Sequence, residues 1–178
     1  MVKLIVPRNL HQDAIAAIRM VRANVGEEAK LILYGHSMGT GIASHATAVC
    51  QAEGTRVDGI LLDSPFHSMR YALTNSAFGR GLNYVFNLEQ FMEDIHVVFD
   101  TPKVIVVDFQ TLLQHLASLP MVPVRVFHAV VDQVCPIEAT RHLVEELIAG
   151  GKTNIDLVEW DQVLLKFILT SSRRVLAT

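Results

Sequence analysis

The sequence is short of cysteine, of net charge, of aromatics and of long apolar runs, and each shortage excludes a class of protein. Two cysteines, Cys50 and Cys135, in 178 residues are too few for a disulfide scaffold or a cysteine-built zinc site. No stretch reaches the roughly 18 uninterrupted apolar residues of a membrane-crossing helix, and the first residues lack the small-residue cleavage pattern of a secretory signal. Fifteen Lys and Arg against 18 Asp and Glu leave a net charge of −3 with no basic cluster, which argues against a nucleic-acid partner. What is abundant is apolar: 51% hydrophobic residues against 19% charged, a composition that excludes a disordered chain. The expectation is one soluble, intracellular domain, large enough to bury about 70% of its unfolded surface without staples.

Periodicity divides the chain into alternating helices and short apolar runs. Residues 12–25 predict a helix with Ala14, Ile15, Ile18 and Val21 on one face, ended by Gly26, where a left-handed residue suits glycine. The run 31–34 reads as a buried strand and is followed by an Ala-rich helical stretch to Ala52. A second strand is expected at 57–62, closed by Asp63-Ser64-Pro65. Residues 104–107 suit strand or loop. A helix is expected at 109–119, a strand at 122–127, a helix at 137–149 opened by Pro136, and a strand at 155–158. Strands alternating with helices imply a parallel sheet with crossover helices. Their continuous apolar character implies cover on both faces.

One motif carries chemistry. Gly35-His36-Ser37-Met38-Gly39 fits G-x-S-x-G between an expected strand and an expected helix. That is the setting of a nucleophile elbow: the serine sits in a strained turn above the sheet edge and the flanking glycines relieve backbone crowding. The N–H of Met38 would face a developing oxyanion from a helix N-terminus. A rival reading uses Gly35, Gly39 and Gly41 as a dinucleotide loop with Asp63, 22 residues on, as the ribose-binding acid. No Tyr-x-x-x-Lys pair follows, and a helix precedes the glycine-bearing strand. A merely structural turn is the third alternative.

In the run Gly35 to Gly41, the run Leu61-Leu62-Asp63-Ser64-Pro65-Phe66 and the run His128-Ala129-Val130-Val131-Asp132-Gln133-Val134-Cys135-Pro136, the chain resembles the α/β-hydrolase serine lipases. The similarity is to the branch that cleaves monoacylglycerols and lysophosphatidylserine, and it spans about residues 12–160. The resemblance implies a partial α/β-hydrolase fold, mostly parallel, with a helical lid at 66–101. It implies Ser37 as nucleophile and Asp132 as the triad acid, with Ala129 and Cys135 standing where the family usually has Gly and Val. Asp132 also lies just past a buried strand, on the sheet edge where Ser37 would sit, although a turn aspartate ahead of Pro136 fits as well. Asp63 is the second candidate acid, or a loop residue. A lipid ester substrate and no metal or organic cofactor are implied. The family further suggests work at an endoplasmic reticulum membrane, with any peripheral contact made through the lid or the apolar tail; the alternative is a cytoplasmic protein.

Two parts of the machinery are not found. Triad order in this fold is Ser, Asp, then His, yet after Asp132 the only histidine is His142, which shares a polar helix face with Glu138, Arg141 and Glu145. His128 precedes the acid, His36 lies in the elbow, His67 in the expected lid and His45 in the helix after Ser37; His11, His96 and His115 read as surface residues. Residues 1–9 show no His-Gly-rich oxyanion loop. Residues 161–178 form a divergent tail: Lys166, Arg173 and Arg174 against Asp161 give it a net +2, leaving −5 for residues 1–160. The expectations are therefore an impaired serine hydrolase, truncated on the N-terminal side, lacking its catalytic His and truncated or respliced around residue 161; a catalytically silent hydrolase-like binding module; or, third, a dinucleotide-dependent oxidoreductase.

Overall fold

A computed structural model describes residues 10–65, 109–132 and 134–161. The helical periodicity at the start of that range forms α1 (Leu10–Val25), in which Ile18 is buried and Ala14 and Ile15 pack beside it. Val21, expected on the same face, is exposed, and Arg22 takes the buried position. The arginine lies four residues after Ile18, and its guanidinium reaches the carbonyls of Gly26, Ala29 and Arg56 and the carboxylate of Asp58. Five donors on one planar fork make it the cation suited to such a place. Gly26 ends the helix at φ +76°, its N–H donating to the Arg22 carbonyl at 3.0 Å.

The remaining elements are β1 (Ile32–His36), α2 (Gly39–Ala52), β2 (Gly59–Asp63), α3 (Phe109–Ala117), β3 (Val124–Ala129), α4 (Ile137–Ala149) and β4 (Ile155–Trp160). The four strands form one parallel sheet in the order β1-β2-β3-β4. Register places Leu33, Ile60, Val124 and Ile155 in one row across the sheet, and Leu62, Val126 and Leu157 in the next row on the same face. Those rows pack with Leu112 and Leu116 of α3 and Leu143, Val144 and Leu147 of α4. Leu31 and Leu33 join α1 and α2 around Ala46 and Cys50. All four described helices therefore cover one face.

The other face departs from expectation. Ile32 and Tyr34 on β1 are 56% and 58% exposed, so continuous apolar sequence does not here mean cover on both sides. The strands also run later than their apolar runs: β1 continues through Gly35 and His36 because they register with Leu62 and Asp63. Backbone pairing does not need apolar side chains. The expected lid at 66–101, the run 104–107 and tail residues 162–178 lie outside the described residues.

Candidate active site

The carboxyl edge of the sheet is stitched strand to strand. Just past β1, the N–H of Ser37 donates to the Asp63 carbonyl at 2.9 Å; just past β2, that of Ser64 donates to Phe127; just past β3, that of Val130 donates to Trp160, both at 2.8 Å. Ser37 and Ser64 achieve this at φ +50° and φ +47°, the two non-glycine positive values among the described residues. A β-carbon in the left-handed region costs about 1–2 kcal/mol. At Ser37 that strain is held from both sides, because its carbonyl accepts from the Thr40 N–H at 3.0 Å and the Thr40 hydroxyl at 2.6 Å. A serine on a strained strand-to-helix turn is the geometry the G-x-S-x-G spacing predicts.

The two flanking glycines do different things. A β-carbon on Gly35 would lie 2.6 Å from the Gly39 carbonyl oxygen and 2.9 Å from the Thr40 α-carbon, so only glycine lets β1 meet the start of α2. A β-carbon on Gly39 would meet nothing within 4 Å. The crowding expected at both positions exists only at Gly35, because β1 approaches α2 at one point. Met38 caps α2 from ordinary helical backbone with no side-chain capping bond. The helix N-terminus thus begins directly beside Ser37, where its partial positive charge favours an anion.

Asp132 folds back on its own loop. Its Oδ1 accepts from the N–H of Val134 at 2.8 Å and of Cys135 at 3.0 Å, while Oδ2 lies 3.8 Å from His128 Nε2. The turn-aspartate geometry is therefore present. The same loop brings the Cys135 thiol near the Ser37 side chain and close enough to Asp132 to feel its charge. Burial, seconded by that carboxylate, pushes the thiol up to about 11, so it stays protonated at neutral pH. The structure brings Ser37, Cys135 and Asp132 into one cluster. The sequence did not single out Cys135 as a contact of Ser37, and nothing in its spacing signals one.

Asp63 is more than a loop residue. It is 1% exposed, and its Oδ2 accepts from the Tyr34 hydroxyl at 2.7 Å and lies 3.2 Å from His36 Nδ1. Tyr34 was missed by the motif reading, yet strand alternation places it on the same face as His36, two residues on. The remaining histidines divide clearly. His142 is exposed and pairs with Glu146 at 3.0 Å, as expected of a surface residue. His128 is fully buried, with Nε2 2.7 Å from the Cys135 carbonyl and Nδ1 2.8 Å from the Thr140 hydroxyl. His11 and His115, expected at the surface, instead pack with His45 between α1, α2 and α3. Their helices turn those edges inward, which composition alone does not reveal. His67 and His96 lie outside the described residues.

Among the described residues no group of three or more His, Cys, Asp or Glu could hold a metal ion, and no helix is long and apolar enough to cross a membrane. A depression of about 420 Å³, lined by Asp58, Pro123, Arg125 and Asp156 among others, sits at the amino-terminal edge of the sheet, the end opposite Ser37.

Comparison with known proteins agrees with this geometry. A family model described as serine aminopeptidase, S33, a hydrolase family, matches residues 7–106. The human protein ABHD12B is 29% identical over 136 residues, covering 76% of this chain and 35% of that protein. The zebrafish (Danio rerio) lysophosphatidylserine lipase ABHD12 is 26% identical over 146 residues, covering 82% and 36% respectively. The chain thus spans about a third of the length of these relatives. In fold it is similar to a Pyrococcus furiosus esterase, with a TM-score of 0.60 at 20% identity over 88% of this chain and 54% of that one. It is also similar to a Pyrococcus horikoshii acylaminoacyl peptidase, with a TM-score of 0.56 at 12% identity over 86% and 23%. The architecture is an α/β-hydrolase fold. The oxidoreductase reading finds no support here, and the described strands run in unbroken order, without the reversal at which dinucleotides bind.

Proposed function

Because the chain belongs to the serine aminopeptidase S33 family of hydrolases, we propose that its chemistry is that of a carboxylic-ester hydrolase acting on a monoacylglycerol or lysophospholipid, impaired in this chain. The observation that carries the reading is Ser37 at φ +50° between β1 and α2, with the helix N-terminus beside it. In this reading the Ser37 hydroxyl attacks the ester carbonyl, the Met38 N–H donates to the oxyanion, and Asp132 is the acid that would orient a histidine. Similarity to a lysophosphatidylserine lipase favours a lipid ester over a peptide, and a lipid substrate would be met at a membrane surface.

Impairment follows from the base. His142, the only histidine after Asp132, lies on the exposed side of α4 with Glu146. The nearby Cys135 thiol is protonated at neutral pH and is no substitute base. Loss of a triad member costs up to ~10⁶-fold in turnover, about 8 kcal/mol of transition-state stabilisation. A fluorophosphonate probe applied to the full chain is the test, and at best trace labelling of Ser37 is expected. Strong labelling that disappears in Ser37→Ala would show a competent base and refute the impairment. The second reading is a catalytically silent module that binds lipid. The protonated Cys135 thiol beside Ser37 favours it, since it offers the hydroxyl no base. Saturable binding of a lysophospholipid with no probe labelling would select that second reading.

A further inference from the structure

Three imidazoles, one from each of three helices, meet on the side of α2 away from the sheet's open face. His11 comes from the first turn of α1, His45 from the middle of α2 and His115 from the last turn of α3. His11 and His45 stand edge to face with centroids 4.6 Å apart, and His45 and His115 do the same at 4.7 Å. The protonation pattern follows from the partners. His115 Nδ1 lies 2.8 Å from the Thr111 carbonyl, which can only accept, so Nδ1 carries the proton and Nε2 offers a lone pair. His45 Nδ1, 2.8 Å from that Nε2, must then be the donor. His11 is 8% exposed, and its Nδ1 is buried without a hydrogen-bond partner among the described residues.

We propose that His11, His45 and His115 form a proton-sensitive lock that joins α1 and α3 to α2 while its rings are neutral and releases them on acidification. One proton can be absorbed. If His115 Nε2 is protonated, His45 moves its own hydrogen to Nε2, accepts at Nδ1, and the bond survives with its direction reversed. The last turn of α3 favours a cation there. A second proton cannot be absorbed, because two N–H donors would then face each other at 2.8 Å with a cation on each ring. His11 is no outlet, since a cation in the first turn of α1 opposes the helix dipole.

Among the described residues no counter-charge reaches the rings. On α1, Asp13 is exposed, Arg19 pairs with Glu53 and Arg22 with Asp58. On α2 the other ionisable group is Cys50, next to Arg19 and Glu53. Besides His115, α3 carries no ionisable side chain. On α4, Glu138, Arg141, His142 and Glu145 are exposed, and on the sheet His36 and Asp63 pair with each other on the opposite face. Burial lowers the proton affinity of all three, and the neighbouring rings lower it further at His11 and His115. The folded chain therefore holds fewer protons than the unfolded chain just below the ordinary histidine range, and stability falls with pH there.

The experiment is a pair of measurements on the full chain. Histidine ring-proton NMR between pH 8 and 5 should show the His11, His45 and His115 rings titrating below the ordinary histidine value of about 6.5, two of them in coupled steps. Urea unfolding at pH 7.5 and 5.5 should show the folding equilibrium constant falling by up to tenfold per pH unit for each proton taken up only on unfolding. His45→Gln should shrink that fall, and His142→Gln should leave it unchanged. Three rings titrating at or above the ordinary histidine value of about 6.5 would overturn the proposal. So would a His45→Gln chain with the unaltered pH slope. If His45→Gln does not fold, the titration of the unaltered chain decides alone.

Discussion

Replacing Gly35 and Gly39 by alanine, one at a time, separates two effects that the motif G-x-S-x-G merges. At Gly35 the added carbon would sit 2.6 Å from the Gly39 carbonyl oxygen and 2.9 Å from the Gly39 carbonyl carbon and the Thr40 α-carbon. All three are backbone atoms, so no side chain can turn aside; β1 or the first turn of α2 must shift. Overpacking of this kind costs about 1–3 kcal/mol. For a chain of this size 1 kcal/mol moves Tm by about 2–4 °C, so Gly35→Ala should lower Tm by about 2–12 °C. At Gly39 the added carbon meets nothing within 4 Å, and glycine in a helix is worse than alanine by about 1 kcal/mol. Gly39→Ala should therefore leave Tm unchanged or raise it by about 2–4 °C. Thermal unfolding followed by circular dichroism, with urea midpoints as a check, measures both. Adding Thr40→Ala to Gly35→Ala should not rescue it, because the clash is with the α-carbon. A Gly35→Ala chain as stable as Gly39→Ala, or rescued by trimming Thr40, would refute the reasoning.

Ser37→Gly should raise stability by about 1 kcal/mol through relief of the left-handed backbone, although it deletes the candidate nucleophile; a lower urea midpoint than the parent chain would contradict the strain assigned to the turn. Asp132→Ala removes the acceptor of the Val134 and Cys135 amides and should cost about 1–3 kcal/mol, with amide exchange accelerating first at those two residues; unchanged exchange there would show that the carboxylate does not organise the loop. Asp58 is held well below the usual carboxylate range, first by the Leu31 N–H and then by Arg22. Its contribution is therefore complete above the unfolded carboxylate pKa of about 3.9 and is lost as pH falls below it. Asp58→Asn should lower stability at neutral pH and flatten the urea-midpoint profile below about pH 4, and an unflattened profile would remove Asp58 from that limb.

Much of the scaffold is legible in sequence because its signals are local. Residues 137–149 read as a helix and are one, since Pro136 precedes and Gly150 follows a clean apolar stripe of Leu143, Val144 and Leu147. The strand ends were less legible. An apolar run marks where side chains are buried, whereas pairing continues into Gly35, His36, Asp63 and Trp160, whose partners lie far away in the chain. Val21 and Arg22 show the same limit. The stripe of α1 continues equally well through either residue, and only the convergence of four distant oxygens makes the arginine the buried one.

The site divides along the same line. Sequence alone determined that a serine stands between a strand and a helix with glycine two residues before it, and that no histidine but His142 follows Asp132. These are facts of order and spacing. Tertiary structure decided that Ser37 is held at positive φ by the Asp63 carbonyl and Thr40, and that only Gly35 is sterically required. It also decided that the hydroxyl meets Cys135 and that three distant histidines close into one cluster. The Asp63 contact, the Cys135 neighbour and the histidine cluster depend on residues at least 26 positions apart being pressed together, whereas the Gly35 requirement comes from the tight turn into Gly39 and Thr40. Contact at such range is set by the sheet register and by which way each helix faces, not by any local pattern.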